Sequence, residues 1–540
     1  MKIRLIEPKP AGINVFDRAL LPRLGLPLVG RILADIGHDV SIYVEQLAPI
    51  NWADVLSADL VGFSATSTTA PVAYAQAASL RQAGVPTVIG GSHVTFLPDE
   101  ALDHCDYVVR GEGQVTVVEL VDALQGKREK TDIAGLSYWN VPAIGAGSAH
   151  SRKVHNPDRQ PCPPEVFATL PAPDLSLIVG HERMTNIPIM TQWGCPFNCD
   201  FCSVVAMFGR SVRARPVAAV LDELDHYRGR GSVFFYDDNF VVNKERTKEL
   251  LRGMISRGLT PNWSAQVRAE VIYQDKRNRV WDIELLELMR DSGCGMVYCG
   301  FESANPETLA LYHKQQEVED IEDSIRAFHA YGIQVHGMFV LGSDADDAAS
   351  IQMTVDFAIE NEIDTVQFLM LTPCPGTAFW ERMTLQGQVL TRDWSLYDGH
   401  HCVIQPAKMT PYELQWAAHR AMVRFYSSRR AIRQIVGSVF HNLPFLLGLA
   451  WRERRLRLKL PRIALLSLLP PRWPEVLDSL MGAVSQESRE RLTAMFAVPV
   501  LRLYAHRHIQ RWARQAHSRA YLEFLRRLMP RQSSQPASLL

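Results

Sequence analysis

The segment "GCPFNCDFC", residues 194–202, places Cys195, Cys199 and Cys202 within eight residues, three of the nine cysteines in a 540-residue chain. In a reducing compartment, clustered thiols read as metal-binding or catalytic before they read as disulfides. A structural zinc site closes with four ligands, and no fourth cysteine or histidine follows at the usual spacing. A cluster of four irons and four sulfides also takes four ligands. Three thiolates would leave one iron open to an exchangeable ligand, and an open iron can do chemistry.

The cysteines follow a strand candidate, "IPIMTQWG", that opens a region from about 186 to 400. There "SVFFYDDNF", "NWSAQVRAE", "MVYCGFESA", "QVHGMFVLG" and "TVQFLMLTP" alternate with helical stretches, which predicts a partial parallel (βα)6 barrel with α/β architecture. Upstream, residues 1–135 show the same alternation. "KIRLIEP", "DVSIYVE", "ADLVGFSA", "PTVIGG" and "YVVRGEG" read as strands, and "LPLVGRILADIG" and "AYAQAASLRQAG" as helices. That pattern predicts a doubly wound parallel sheet with ligands beyond the carboxyl ends of its strands. Residues 136–185, rich in proline, read as a linker. Residues 401–540 read as a helical, basic C-terminal region.

The spacing C-x3-C-x2-C at a strand end resembles the signature of the radical S-adenosylmethionine enzymes. In that family the fourth iron is chelated by S-adenosylmethionine, and one electron from the cluster cleaves the sulfonium to a 5′-deoxyadenosyl radical. The resemblance implies that Cys195, Cys199 and Cys202 ligate the cluster and that Phe201 lies beside the adenine. Asp237 and Asp238 of "VFFYDDNF" stand where the family binds the methionine amino group, although they replace the commoner Gly-Gly-Glu. Glu302 and Ser303 of "GFESANPETL" stand where relatives contact the methionine or ribose part, and "HGMFVLG" resembles the segment near the adenine. Arg268 is either a ligand to the carboxylate of S-adenosylmethionine or a salt-bridge partner. Cys294 and Cys299, on or beside a strand, read as core thiols. Cys374, after the sixth strand, reads as packing first and as a hydrogen donor or second-site ligand second.

The first domain resembles the cobalamin-binding domains that precede many of these enzymes, on "LGLPLVGRILADIGHDVSIYVE", "GFSATSTTAPVAYAQAASLRQAGVPTVIGGSHVTFLPDEAL" and "DYVVRGEGQ". Ser64, Thr66 and Ser67 end one strand and Gly90, Gly91 and Ser92 the next. Hydroxyls and bare amides there suit the tail, amides and phosphate of a corrinoid. Glu112 and Gly113 belong to the same expected site. Many cobalamin-binding proteins carry an Asp-x-His-x-x-Gly loop whose histidine ligates cobalt; none follows the first strand here. His93 is expected to contact backbone or a corrin amide.

The rest of the chain narrows the partners. A formal net charge of −1 and 21% charged residues offer no field for nucleic acid. No secretory signal opens "MKIRLIEPKP" and no apolar run spans a bilayer, so the cytoplasm is the expected compartment. The segments 445–473 and 503–529 interleave leucine and tryptophan with arginine. They suit either a peripheral contact with the inner membrane face or a helical subdomain with a solvated basic face. The expectation is a cobalamin-dependent radical enzyme, a C-methyltransferase acting on an unactivated carbon of a lipid or other apolar substrate, with a flavodoxin- or ferredoxin-type electron donor. The alternatives are a radical cyclase, ring-forming or carbon-coupling enzyme, and a non-catalytic cluster- or corrinoid-binding protein.

Overall fold

Short apolar runs near the amino terminus form five parallel strands in the order β2-β1-β3-β4-β5: β1 (Lys2–Glu7), β2 (Asp39–Val44), β3 (Leu60–Ser64), β4 (Thr87–Gly90) and β5 (Tyr107–Val109). Helices Gly25–Asp35, Ala70–Gln82 and Gly113–Leu124 connect or follow them. Parallel strands covered on both faces need apolar side chains on both, which is why these runs do not alternate. The strand order reverses between β1 and β3, and in such sheets ligands bind beyond the carboxyl ends at the reversal. The computed structural model describes residues 1–11, 21–140, 152–427, 430, 521 and 523–525.

The stretch 136–185 is not a simple linker. It opens with β6 (Leu136–Asn140) and β7 (Arg152–His155), which extend the first sheet antiparallel to β5 and to each other. Leu136, Ser137 and Tyr138 are buried, and the Trp139 indole donates to the Leu102 carbonyl at 2.6 Å. The prolines cluster only after Asn156, so a composition averaged over fifty residues hides two strands ahead of them.

The second sheet is built from β8 (Asn186–Ile189), β11 (Ser232–Phe235), β12 (Trp263–Val267), β15 (Cys294–Glu302), β16 (Gln334–Leu341) and β17 (Thr365–Met370). These six strands are parallel and lie side by side in chain order. Two small antiparallel pairs decorate it, β9 (Gln192–Trp193) with β10 (Arg213–Ala214) and β13 (Tyr273–Asp275) with β14 (Val280–Trp281). In β16, buried Val335, Gly337, Phe339 and Leu341 alternate with the half-buried Gln334, His336, Met338 and Val340. One face packs on the helical layer and the other stays open for a site. Cys294 and Cys299 are buried in β15, as core packing requires.

The chain divides into two units, Met1–Ala418 with Gln515–Leu540, and His419–Arg514; both sheets lie in the first. Within that unit the Trp394 indole donates to Glu100 Oε1 at 2.7 Å and stands edge-on to His93 at 4.7 Å. Gly376 is so close to Phe96 that a Cβ there would sit 2.4 Å from its ring. Of the C-terminal region, helix Pro411–Phe425 is described. The basic amphipathic segments expected to touch a membrane lie outside the described residues, apart from Tyr521 and 523–525. No described helix is long and apolar enough to cross a membrane.

Candidate active site

Gly194 turns the chain from β9 into the cysteine segment. It holds φ 91°, and a Cβ there would meet the Ser211 carbonyl at 2.5 Å, so no larger residue fits this turn. Cys195, Cys199 and Cys202 follow as half-buried free thiols, joined by Phe201 around a cavity of about 200 Å³. The barrel strands supply the opposite wall: Gln266 and Arg268 at the end of β12, Gly300 and Glu302 of β15, and Met338 of β16. Burial pushes all three thiols up, Cys202 to about 12. The charges of Lys314 and Arg268 oppose that shift at Cys199.

This donor set fits an iron–sulfur cluster. Among the described residues no three His, Cys, Asp or Glu side chains converge on one point as ligands to a single ion. In a cluster each thiolate binds its own iron, so convergence is not needed. Buried thiols with raised pKa values are poor free thiolates, and iron would supply the missing positive charge.

The two adjacent aspartates divide their work. Asp237 is fully buried and accepts from the Thr191 N–H at 2.6 Å, the Thr191 hydroxyl at 2.6 Å and the Gln192 N–H at 3.2 Å. It fixes the exit of β8 and does not line the cavity. Burial pushes its carboxyl up to about 7, against these donors and Arg246. The folded chain therefore binds the extra proton between the ordinary carboxylate range and about 7, and this group's contribution to stability falls as pH rises through that window. Thermal melts of the apo protein between pH 4 and 8 should show that slope in the wild type and its loss in Asp237→Asn. A variant that keeps the slope would assign it to another group. Asp238 lines the cavity and accepts from the Gly194 N–H at 3.2 Å.

The remaining expected contacts separate likewise. Arg268 lines the cavity, stacks 3.7 Å over the Phe197 ring and pairs with Glu270. The salt bridge is therefore present, and the guanidinium stands on the wall of the cavity. Phe201 stands edge-on to Tyr312 at 4.9 Å. Ser303 accepts from the Asn305 N–H at 3.0 Å, ordering the turn before helix Pro306–Leu311, and does not line the cavity.

A second cavity, of about 270 Å³, opens at the carboxyl ends of β1, β3, β4 and β5. Of the residues that the sequence assigns to a corrinoid site, Ser64, Gly90, Gly91, Glu112 and Gly113 line it; Thr66, Ser67, Ser92 and His93 do not. His93 turns away into the protein, with Nδ1 3.1 Å from Ser67 Oγ and Nε2 3.4 Å from Glu100 Oε1. Trp394 covers its ring. The barrel closes the cavity with Met190, Trp193, Tyr236 and Asp238. Asp238 thus lines both cavities.

Whether a corrinoid fits can be judged from Arg23. Its backbone N–H donates to Glu7 Oε2 at 3.0 Å and Nη2 to Thr66 Oγ1 at 3.3 Å, but Nη1 is buried without a partner on the cavity wall. An orphaned cationic donor beside apolar Leu24, Leu26 and Val88, with bare glycine amides opposite, suits a large apolar ring bearing amide and phosphate groups. Gly91 holds φ 109°, and a Cβ there would stand 2.4 Å from the Ala65 carbonyl. Gly91→Ala should destabilise the first sheet by more than about 1 kcal/mol and lower corrin retention; an unchanged melting midpoint would refute the close approach.

Glu112 also ties the sheet to the barrel. It pairs with Arg213 Nη1 at 2.5 Å and accepts from the Cys162 N–H at 2.9 Å. Arg213 is 2% exposed and packs beside the paired Phe167 and Trp193 rings, 5.5 and 5.7 Å from their centroids. Arg23, Tyr236 and Lys314 were not singled out by the sequence, and only the fold brings them to the cavities.

Residues 18–121 match the B12 binding domain and residues 189–358 the Radical SAM superfamily. An uncharacterized methyltransferase of Pyrococcus horikoshii is 30% identical over 471 residues, 84% of this chain and 97% of that protein. The chain belongs to the cobalamin-dependent radical S-adenosylmethionine methyltransferase family. A bacteriochlorophyllide d C-12(1)-methyltransferase of Chlorobaculum tepidum is 30% identical over 415 residues, 75% of this chain and 83% of that one. A hopanoid C-3 methylase of Methylococcus capsulatus is 24% identical over 415 residues, covering 75% and 76%. The solved structure of the radical enzyme OxsB with aqua-cobalamin and S-adenosylmethionine bound shares the fold, with a TM-score of 0.60, 15% identity and coverage of 97% of this chain and 80% of that one. The cofactors of the family are a 4Fe-4S cluster, S-adenosylmethionine and cobalamin.

Proposed function

We propose that this radical S-adenosylmethionine enzyme transfers a methyl group to an unactivated carbon of a large apolar molecule, a lipid or an apolar ring system. The observation that carries the reading is the shared wall: Asp238 lines both cavities, so a molecule held there would reach both cofactors. The hopanoid and bacteriochlorophyllide relatives support an apolar acceptor. When bound, the cluster with S-adenosylmethionine supplies one-electron hydrogen abstraction and cobalamin supplies the methyl carrier.

The chain's own residues align these parts and exclude water. Cys195, Cys199 and Cys202 would hold the cluster, and Phe201 would flank the adenine. Asp238 would accept from the ligand ammonium, Arg268 would take its carboxylate in a planar fork, and Glu302 would accept from the ribose hydroxyls. Ser64, Gly90, Gly91, Glu112, Gly113 and Arg23 would hold the corrinoid. Asp237, Ser303, Thr66, Ser67, Ser92 and His93 would support the walls without touching either ligand. A flavodoxin- or ferredoxin-type protein would deliver the electron.

The test is anaerobic. The full chain is reconstituted with iron, sulfide and hydroxocobalamin, freed of unbound cofactor, and given reductant, trideuteromethyl S-adenosylmethionine and a panel of hopanoid and tetrapyrrole acceptors. Retained corrin, deuterated product, and S-adenosylhomocysteine with 5′-deoxyadenosine in equal amounts support methyl transfer. Deoxyadenosine with no retained corrin and no label in the product would instead favour a ring-forming or coupling reaction.

A further inference from the structure

Among the described residues, five that are not glycine adopt left-handed backbone, and three of them surround one ion pair. Glu302 (φ 63°) ends β15, while His313 (φ 51°) and Gln315 (φ 55°) flank Lys314. The Lys314 ammonium donates to Glu302 Oε1 at 2.7 Å, with side chains only 7% and 10% exposed. Gly300 makes the room: a Cβ there would stand 2.8 Å from Glu302 Oε1 and 3.0 Å from Lys314 Nζ.

Left-handed backbone is costly for residues that carry a Cβ, and such strain clusters where a site requires it. A buried ion pair adds little net stability once both charges are desolvated. Stability is therefore a poor reason for three strained residues and a closely approached glycine to converge here. The pair lines the cysteine cavity, and Lys314 stands with Arg268 as a cation acting on Cys199. Arg268 offers the planar fork that suits a carboxylate. Lys314, already committed to Glu302, is left as a fixed point charge.

We propose that Lys314 sets the electron affinity of the cluster held by Cys195, Cys199 and Cys202, its ammonium stabilising the electron that the cluster gains. The proposal rests on the cluster assignment above. The step is a one-electron reduction in which a low-potential donor is oxidised, the cluster core is reduced, and no bond is made or broken. The site becomes one charge more negative, which a fixed cation favours and the Glu302 carboxylate opposes.

The experiment compares the full-length wild type with Lys314→Gln, Lys314→Arg and Glu302→Gln. Each is loaded anaerobically with iron and sulfide, assayed for iron per chain, and titrated with titanium(III) citrate while electron paramagnetic resonance follows the reduced cluster. Lys314→Gln should shift the reduction equilibrium roughly tenfold toward the oxidised form, about 59 mV for one electron. Lys314→Arg should stay near the wild type, and Glu302→Gln should shift toward the reduced form. Opposite signs separate a charge effect from damage to packing. Full iron with an unmoved midpoint in Lys314→Gln, or a Glu302→Gln shift toward the oxidised form, would overturn the proposal alone. If Lys314→Gln takes up no iron, Lys314→Arg and Glu302→Gln decide by the same signs. A wild type that binds no iron would overturn the cluster assignment as well.

Discussion

Cys199→Ala should leave the apo protein folded and remove S-adenosylmethionine cleavage. The thiol is half-buried, and the residue's backbone carbonyl accepts from the Cys202 N–H at 3.2 Å, a bond that alanine keeps. Its removal should therefore change apo stability by no more than about 1 kcal/mol. The cluster would lose one of three protein ligands. Losing even an outer-shell partner typically costs a metal site about 10–100-fold in affinity or activity, so loss of a ligand should exceed that. Iron per chain and 5′-deoxyadenosine by mass spectrometry give the readout, with the apo melting midpoint as control. Unchanged cleavage by a fully loaded variant would sink the assignment of Cys199.

Arg213→Ala should be the most damaging of the stability variants. It strands the Glu112 carboxylate, 4% exposed in its side chain, and removes the guanidinium packed beside Phe167 and Trp193. Breaking a buried pair by deleting one partner costs about 3–5 kcal/mol. Trp193 lines the second cavity, so corrin retention should fall together with the melting midpoint. Glu112→Gln in the Arg213→Ala background should recover part of the loss, because the stranded group is then neutral. A double variant no more stable than the single would show that packing around the guanidinium, and not the charge pair, carries the effect.

The sequence made local features legible and tertiary ones not. Cys195, Cys199 and Cys202 share one loop, so their spacing alone exposes them. The strands β1, β3, β12 and β16 show because strands packed on helices need apolar runs. β6 was hidden by the prolines that follow β7, and Glu112, which lines the second cavity, also pairs with Arg213 a hundred residues later. His93 sits at a glycine-rich strand end as a ligand contact would, yet Trp394 and Glu100 claim its ring. Asp237 and Asp238 look equivalent in "YDDNF"; successive residues point to opposite sides, and one is spent on Thr191 while the other faces both cavities. Lys314 is invisible because its meaning depends on Glu302, Gly300 and Cys199, which lie on other elements.

The second cavity has its floor in one part of the chain and its lid in another, and this bears on how the protein is made. Val117 completes the floor, but Tyr236 and Asp238 emerge from the ribosome about 120 residues later. At about 5–20 residues per second that interval is roughly 6–25 s. During it the first sheet can fold, with the apolar hollow and the Arg23 Nη1 still lacking the wall that the barrel adds. The wall that Tyr236 and Asp238 add is therefore the last part of the second cavity to be synthesised.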